Sequence, residues 1–280
     1  MKKRKRSTLD YLQFTAKDIP TWLEGESETV PPISFYRSGR KFSCSTRAFL
    51  GNAQSDKYLI QMPGRACDFH NMTECVERLE HVFETNCHFS RVDFAVTIEG
   101  HDTLLDFYKE VRAGTIVSKR FDGDAPKIIS GASGHPETIY IGDLKKRGKK
   151  GVFRAYDKGL EQGLFDLLTR FELEVRKKQA HCAAKRFLTG VSIERIIRNV
   201  VDIPDAKWWA DCMGDTDNRL PPVFHAPEKD EIAARWAWLC YQVGPALGKL
   251  LFIEQKAGTK NFDRFKKIVE KARQKASQDG

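Results

Sequence analysis

The chain has 280 residues, 41% of them hydrophobic, enough for one large core or for a catalytic domain with a smaller appendage. Forty-seven Lys plus Arg against 38 Asp plus Glu leave a net charge of +9, which favours a polyanionic partner without identifying it. No signal peptide and no apolar run of bilayer-crossing length is found, and seven cysteines without a Cys-x-x-Cys pair fit reduced thiols, so a cytoplasmic protein is expected and a disulfide scaffold or structural zinc site is not.

In chain order, Lys2 to Arg6 form a basic run that reads as a solvated tail. Asn71 to Thr85 predicts a helix, with Asn71 as N-cap, Glu74 in the capping-box position and Val76, Leu79 and Phe83 on one face. In Arg91 to Ile98 apolar residues alternate with others, so Val92, Phe94, Val96 and Ile98 face a core and Asp93 the opposite side. A second helix is predicted from Asp102 to Gly114, with Leu104, Leu105, Tyr108 and Val111 inward and Gly114 as its stop. His135 follows the Gly-rich turn 131–134, and Thr138 to Gly142 carries Tyr140. The next segment, Asp143 to Gly151, concentrates Lys145, Lys146, Arg147, Lys149 and Lys150, a candidate contact for phosphates.

Val152 to Lys158 alternates again and sends Arg154, Tyr156 and Lys158 to one side. A phenol ionises near pH ~10, and neighbouring positive charge is one way to favour the phenolate needed to attack phosphorus. A solvated strand face with a half-buried tyrosine fits the same pattern. In Arg170 to Arg176 the alternation is strict: Phe171, Leu173 and Val175 point inward, whereas Arg170, Glu172, Glu174 and Arg176 share the other face. Asp93, Glu172 and Glu174 therefore offer oxygen ligands of the kind Mg²⁺ or Mn²⁺ prefers, although three acids on strand faces also read as ordinary surface charges.

Lys177 to Thr189 and Ser192 to Val201 predict two helices split at Gly190, a spacing that permits a helix-turn-helix. From residue 202 to 227 the sequence reads as a long connection anchored by Trp208 and Trp209. A helical tail follows, with Trp236, Leu239, Cys240 and Val243 on one face. Its last helix carries the stripe Phe262, Phe265, Ile268 and Val269 against a basic back.

Four segments together resemble the Rep_trans family of rolling-circle replication initiators, which includes plasmid Rep proteins, related tyrosine relaxases and replication proteins of filamentous phages. They are Asp10 to Thr15, Arg91 to Ala95, the pair Thr138 to Gly142 with Arg154 to Glu161, and Arg170 to Glu174. The run Trp238 to Leu247 is similar to the tail of the phage branch.

The resemblance implies that a tyrosine nicks one DNA strand and that acids hold a divalent metal. Tyr156 lies in the Tyr-x-Lys-x-x-Glu stretch where the family's nucleophile is expected, with Tyr140 in reserve; Arg154 and Lys158 would stabilise the phenolate or phosphate. Asp93, Glu172 and Glu174 would hold Mg²⁺ or Mn²⁺. Many rolling-circle nucleases use a His-hydrophobic-His pair instead, which is absent here, and His135 is kept only to support a ligand from behind. The lysine-rich tip replaces the serine-containing turn that often follows Tyr-x-Gly in the family.

The expected fold is α+β, a mostly antiparallel central sheet carrying the active site with packed helices. Residues 1–201 would nick and close DNA; residues 202–280, a linker and helical C-terminal region, would bind DNA or dimerise. The expected partners are origin DNA, a host helicase and polymerase, and a second copy of the chain in a bacterial cytoplasm. A mobilisation relaxase with the same chemistry and a non-catalytic DNA-binding regulator are the alternatives.

Overall fold

The computed structural model describes residues 4–214 except 24, 34, 52–55, 86, 101, 122–123, 131–135 and 165–166. The chain divides into two units, Met1–Phe224 and His225–Gly280. In the first, β1 (Arg4–Ala16) precedes β2 (Ser27–Val30), β3 (Ser38–Phe42), β4 (Arg47–Leu50), β5 (Tyr58–Met62), α1 (Gly64–Phe69) and α2 (Met72–Glu84). Next come β6 (His88–Glu99), α3 (Thr103–Ala113), β7 (Val117–Ser118), β8 (Lys127–Ser130) and β9 (Pro136–Ile141). A 3-10 turn at Leu144–Lys146 and α4 (Arg147–Lys150) lead into β10 (Val152–Asp157), α5 (Lys158–Gln162) and β11 (Leu168–Arg176). The described residues close with α6 (Lys178–Leu188), α7 (Ile193–Arg198), β12 (Val201–Asp202) and α8 (Lys207–Met213).

Among the described residues, ten strands form one sheet in the order β2-β3-β4-β5-β1-β6-β11-β10-β9-β8. Each neighbouring pair is antiparallel, which gives the α+β fold expected. Alternation makes the central strands two-faced: Val92, Phe94, Val96, Ile98, Phe153, Ala155, Phe171, Leu173 and Val175 are all fully buried. Helices cover that face. Phe107 of α3 lies 5.6 Å from Phe153 and 5.5 Å from Phe171, Trp209 of α8 lies 5.2 Å from Phe171, and Phe187 of α6 lies 6.0 Å from Phe94, measured between ring centroids. Emptying such an aromatic position costs about 3–5 kcal/mol.

The predicted helices form with small shifts. The capping box of Asn71 and Glu74 is made in both directions, and the buried face of α2 is Cys75, Leu79 and Val82, with Val76 and Phe83 at its margins. In α3, Asp102 caps the first turn and Gly114 ends the helix at φ 73°; Phe107, unforeseen, is fully buried. Helix α7 buries Ile193, Ile196, Ile197 and Arg198 and leaves Glu194, Arg195 and Asn199 partly exposed. The basic run is likewise no tail beyond Lys3: Arg4, Lys5 and Arg6 pair along β6, with Lys5 3.0 Å from Glu194.

Strands β2 to β5 were not foreseen and extend the sheet beyond β1. In a separate two-stranded sheet β12 pairs with β7, and α8 inserts Trp209 into the core. Residues 202–214 therefore belong to the sheet-bearing unit, with Trp208 and Trp209 as anchors. The predicted helical tail and His135 lie outside the described residues. No helix among the described residues is long and apolar enough to cross a membrane.

Candidate active site

The face of the sheet opposite the helices carries the polar residues of β1, β6, β10 and β11. Register places Arg154 opposite Glu172, Tyr156 opposite Arg170, and Asp93 opposite Glu174, so the two sets of candidates share a face as their alternation requires. Lys158 leaves the strand as the first residue of α5, which Asp157 caps through a 2.9 Å bond to the Leu160 amide.

A cavity of about 1000 Å³ opens over Tyr156. Asp10, Arg47, Arg65, Arg154, Lys158 and Arg170 are among its walls. The Tyr156 hydroxyl donates to Oε2 of Glu172 at 3.2 Å, and Arg154 Nη2 donates to Oε1 of the same carboxylate at 2.6 Å. The Arg154 guanidinium and the Lys158 ammonium stand 5.0 Å and 5.8 Å from the Tyr156 ring centroid. Arg170 is held from both ends, donating to Asp10 Oδ1 at 2.6 Å and to Thr97 Oγ1 at 3.0 Å. Arg47 and Arg65 form no ion pair among the described residues, so the cavity keeps a surplus of positive charge.

Sequence reasoning missed Asp10 in this role. Leu9 and Leu12 are both buried although three residues apart, because the register with β6 slips between Leu9 and Tyr11. That bulge turns Asp10 toward Tyr156. The odd spacing of Leu9 and Leu12 was the available signal. Arg47 and Arg65 had none, since they arrive on a strand and a helix far away in sequence.

The electrostatics correct one expectation. Burial, and then the Glu172 charge, raise the Tyr156 pKa above that of a free phenol, while Arg170 and Arg154 pull the other way and do not prevail. The resting tyrosine is protonated and bonded to a carboxylate. Glu172 is itself pushed up by burial, against Arg154, so it has raised affinity for the proton that Tyr156 must lose.

The acids expected to hold a metal as a trio are instead paired with guanidinium groups. Arg91 grips Asp93 through two nitrogens, Nε at 2.8 Å from Oδ1 and Nη2 on Oδ2. Glu174 receives Arg147 at 2.6 Å and 2.9 Å, Arg176 at 2.7 Å and Arg91 at 3.0 Å. Although burial opposes ionisation, Arg147, Arg91 and Arg176 hold the Glu174 pKa below the usual carboxylate range. Asp93, Glu172 and Glu174 thus do not fit a shared metal centre, and no trio of His, Cys, Asp or Glu among the described residues is grouped to hold one. Asp10 lines the cavity beside Tyr156, and one or two carboxylates with substrate phosphate oxygens are a common Mg²⁺ ligand set.

Tyr140 sits opposite Arg154 on β9, one strand removed from this cavity and not among its walls. The lysine-rich tip is divided. Arg147 turns inward to Glu174, and Lys146 pairs with Asp143 at 3.2 Å, whereas Lys145, Lys149 and Lys150 are exposed.

A family model described as replication initiation factor, Rep_trans, matches residues 87–269. The solved structure of a rolling circle replication initiator protein from Geobacillus stearothermophilus shares the fold, at 18% identity and a TM-score of 0.56 over 78% of this chain and 92% of that one. No curated protein matches the sequence. Since the family match spans more than half of the chain and contains β6, β10 and β11, which carry the Tyr156 site, the chain belongs to the Rep_trans family of replication initiation factors.

Proposed function

We propose that this replication initiator opens and recloses one strand of origin DNA in rolling-circle replication, with Tyr156 as the nucleophile. The observation that supports this most is the Tyr156 hydroxyl, bonded to a buried carboxylate inside a cavity walled by arginine and lysine. Glu172 Oε2 accepts the phenol proton as Tyr156 Oη bonds to phosphorus. The bond from phosphorus to the deoxyribose 3′ oxygen breaks, that oxygen is protonated by water, and the 5′ phosphate stays on Tyr156. Arg154, held by Glu172, Arg170, held by Asp10 and Thr97, and Lys158, paired with Glu161, would stabilise charge on the phosphate oxygens. Because the phosphotyrosine keeps the energy of the broken bond, the free 3′ hydroxyl reverses the step and closes the strand.

Asp10, on the cavity wall beside Tyr156, is the carboxylate that would help hold Mg²⁺ or Mn²⁺ together with substrate phosphate oxygens. Such an ion supplies charge neutralisation at the phosphate when bound. The exposed lysines of the tip would position DNA, and the C-terminal region beyond residue 214 would add DNA binding or dimerisation. Displacement synthesis from the freed 3′ end calls for a host helicase and polymerase. A mobilisation relaxase would use the same site on DNA destined for transfer. A non-catalytic regulator would use the same positive charge but leaves the Tyr156–Glu172 bond without a role.

The test is Tyr156→Phe. Nicking of a supercoiled origin plasmid and the covalent protein–DNA adduct should both vanish while DNA binding stays close to wild type. An adduct that persists in Tyr156→Phe and is lost in Tyr140→Phe would move the nucleophile to β9.

A further inference from the structure

We propose a second phosphate-binding cavity, at the end of β10 and β11 away from Tyr156, that seats the backbone of the same DNA strand. It rests on the nicking reading above and adds where the strand runs. The cavity measures about 320 Å³ and is lined by Arg120, Lys149, Lys150, Arg176, Lys177 and Lys178, with Gln179 and no acid. Arg176 is committed to Glu174, but Lys149, Lys150, Lys177 and Lys178 form no ion pair among the described residues.

Three segments are fixed together to build it. Arg120 donates to the main-chain carbonyl of Lys150 from Nε at 2.9 Å and also from Nη2, and burial lowers its pKa to about 10. Gly151, at φ 79°, lets the tip close on β11, since a Cβ there would stand 2.0 Å from the Glu174 carbonyl oxygen. Lys177 is held at φ 58°, ψ −139°, a conformation that suits glycine, with its amide 2.9 Å from the Ser90 carbonyl. Like charges gathered this way repel one another in the free protein, and an anion relieves that repulsion.

The charge along the polar face shows why the strand should be held at two points. Between the cavities, Arg91 and Arg147 are matched by Asp93 and Glu174. Surplus positive charge is left at the two ends. Arg170, opposite Tyr156, and Arg176 lie on one face of β11, about 20 Å apart at the usual strand rise. A stacked strand advances about 3.4 Å per nucleotide, so no more than about six nucleotides bridge the two sites.

Binding of oligothymidylates from two to twelve nucleotides to the full chain, followed by fluorescence anisotropy, tests this. Affinity should rise in two steps. The second, on the order of 100-fold as for two linked sites, should come within about six nucleotides of the first. Lys150→Ala/Lys178→Ala should erase the second step alone. Lys177→Gly should do so in part while keeping or raising the melting temperature, because it removes a charge and relaxes the backbone. The proposal is overturned by a single step in wild type or by equal losses at every length in Lys150→Ala/Lys178→Ala. The nicking assay is separate: two steps with tyrosine-independent nicking would remove the Tyr156 reading and keep this cavity, and the converse result would do the opposite.

Discussion

Glu174→Gln separates a structural acid from a metal ligand. The wild-type side chain is 1% exposed and accepts from three guanidinium groups, at 2.6–3.0 Å. Removing one partner of a buried ion pair costs about 3–5 kcal/mol. Here the arginine side chains are 15%, 34% and 22% exposed, so solvent screens part of the loss, and Gln keeps one acceptor; about 2–3 kcal/mol is expected. At roughly 2–4 °C per kcal/mol for a body of this size, the melting temperature falls by roughly 4–12 °C at pH 7. The sign with pH follows from the depressed pKa of Glu174: its contribution is complete above the unfolded value of about 4.3 and is lost as pH falls through the lower folded value. Melting curves of wild type and variant should therefore begin to converge as pH falls below about 4.3 and meet only below the folded pKa of Glu174. An unchanged melting temperature at pH 7, together with loss of the response of cleavage to Mn²⁺, would refute the pairing argument and restore Glu174 as a ligand.

Chelation with EDTA should stop cleavage and Mg²⁺ or Mn²⁺ restore it; Asp10→Asn should shift the metal concentration needed to higher values, and undiminished cleavage in EDTA would exclude the metal. Nicking rate should fall with acid as Glu172 takes up a proton, with a midpoint above the ordinary glutamate value of about 4.3 because burial raises it; a midpoint at or below that value would remove Glu172 as the base. Replacing Lys145, Lys149 and Lys150 with Ala should flatten the log-log salt dependence of single-strand binding by about 0.7 for each phosphate no longer neutralised, equally on origin and non-origin DNA. Adding Arg147→Ala should cost stability, since Arg147 is held by Glu174.

What the sequence settled by itself was local. Alternation in Arg91 to Ile98, Val152 to Asp157 and Arg170 to Arg176 determined which side chains enter the core and that Arg154, Tyr156, Glu172 and Glu174 share the other face, because strand geometry has a period of two. The capping box at Asn71 and the stop at Gly114 were equally legible, since each depends on neighbours within one turn. The meaning of each charge was decided only in three dimensions. Asp10 meets Arg170 across 160 residues of chain, through a bulge and a register that no local pattern specifies. Glu174 looks like a free ligand along its own strand, yet it lies where β6, β11 and the tip converge three arginines on it. Tyr156 has two cations beside it in sequence, but burial and Glu172 outweigh them, because desolvation depends on everything packed around the phenol.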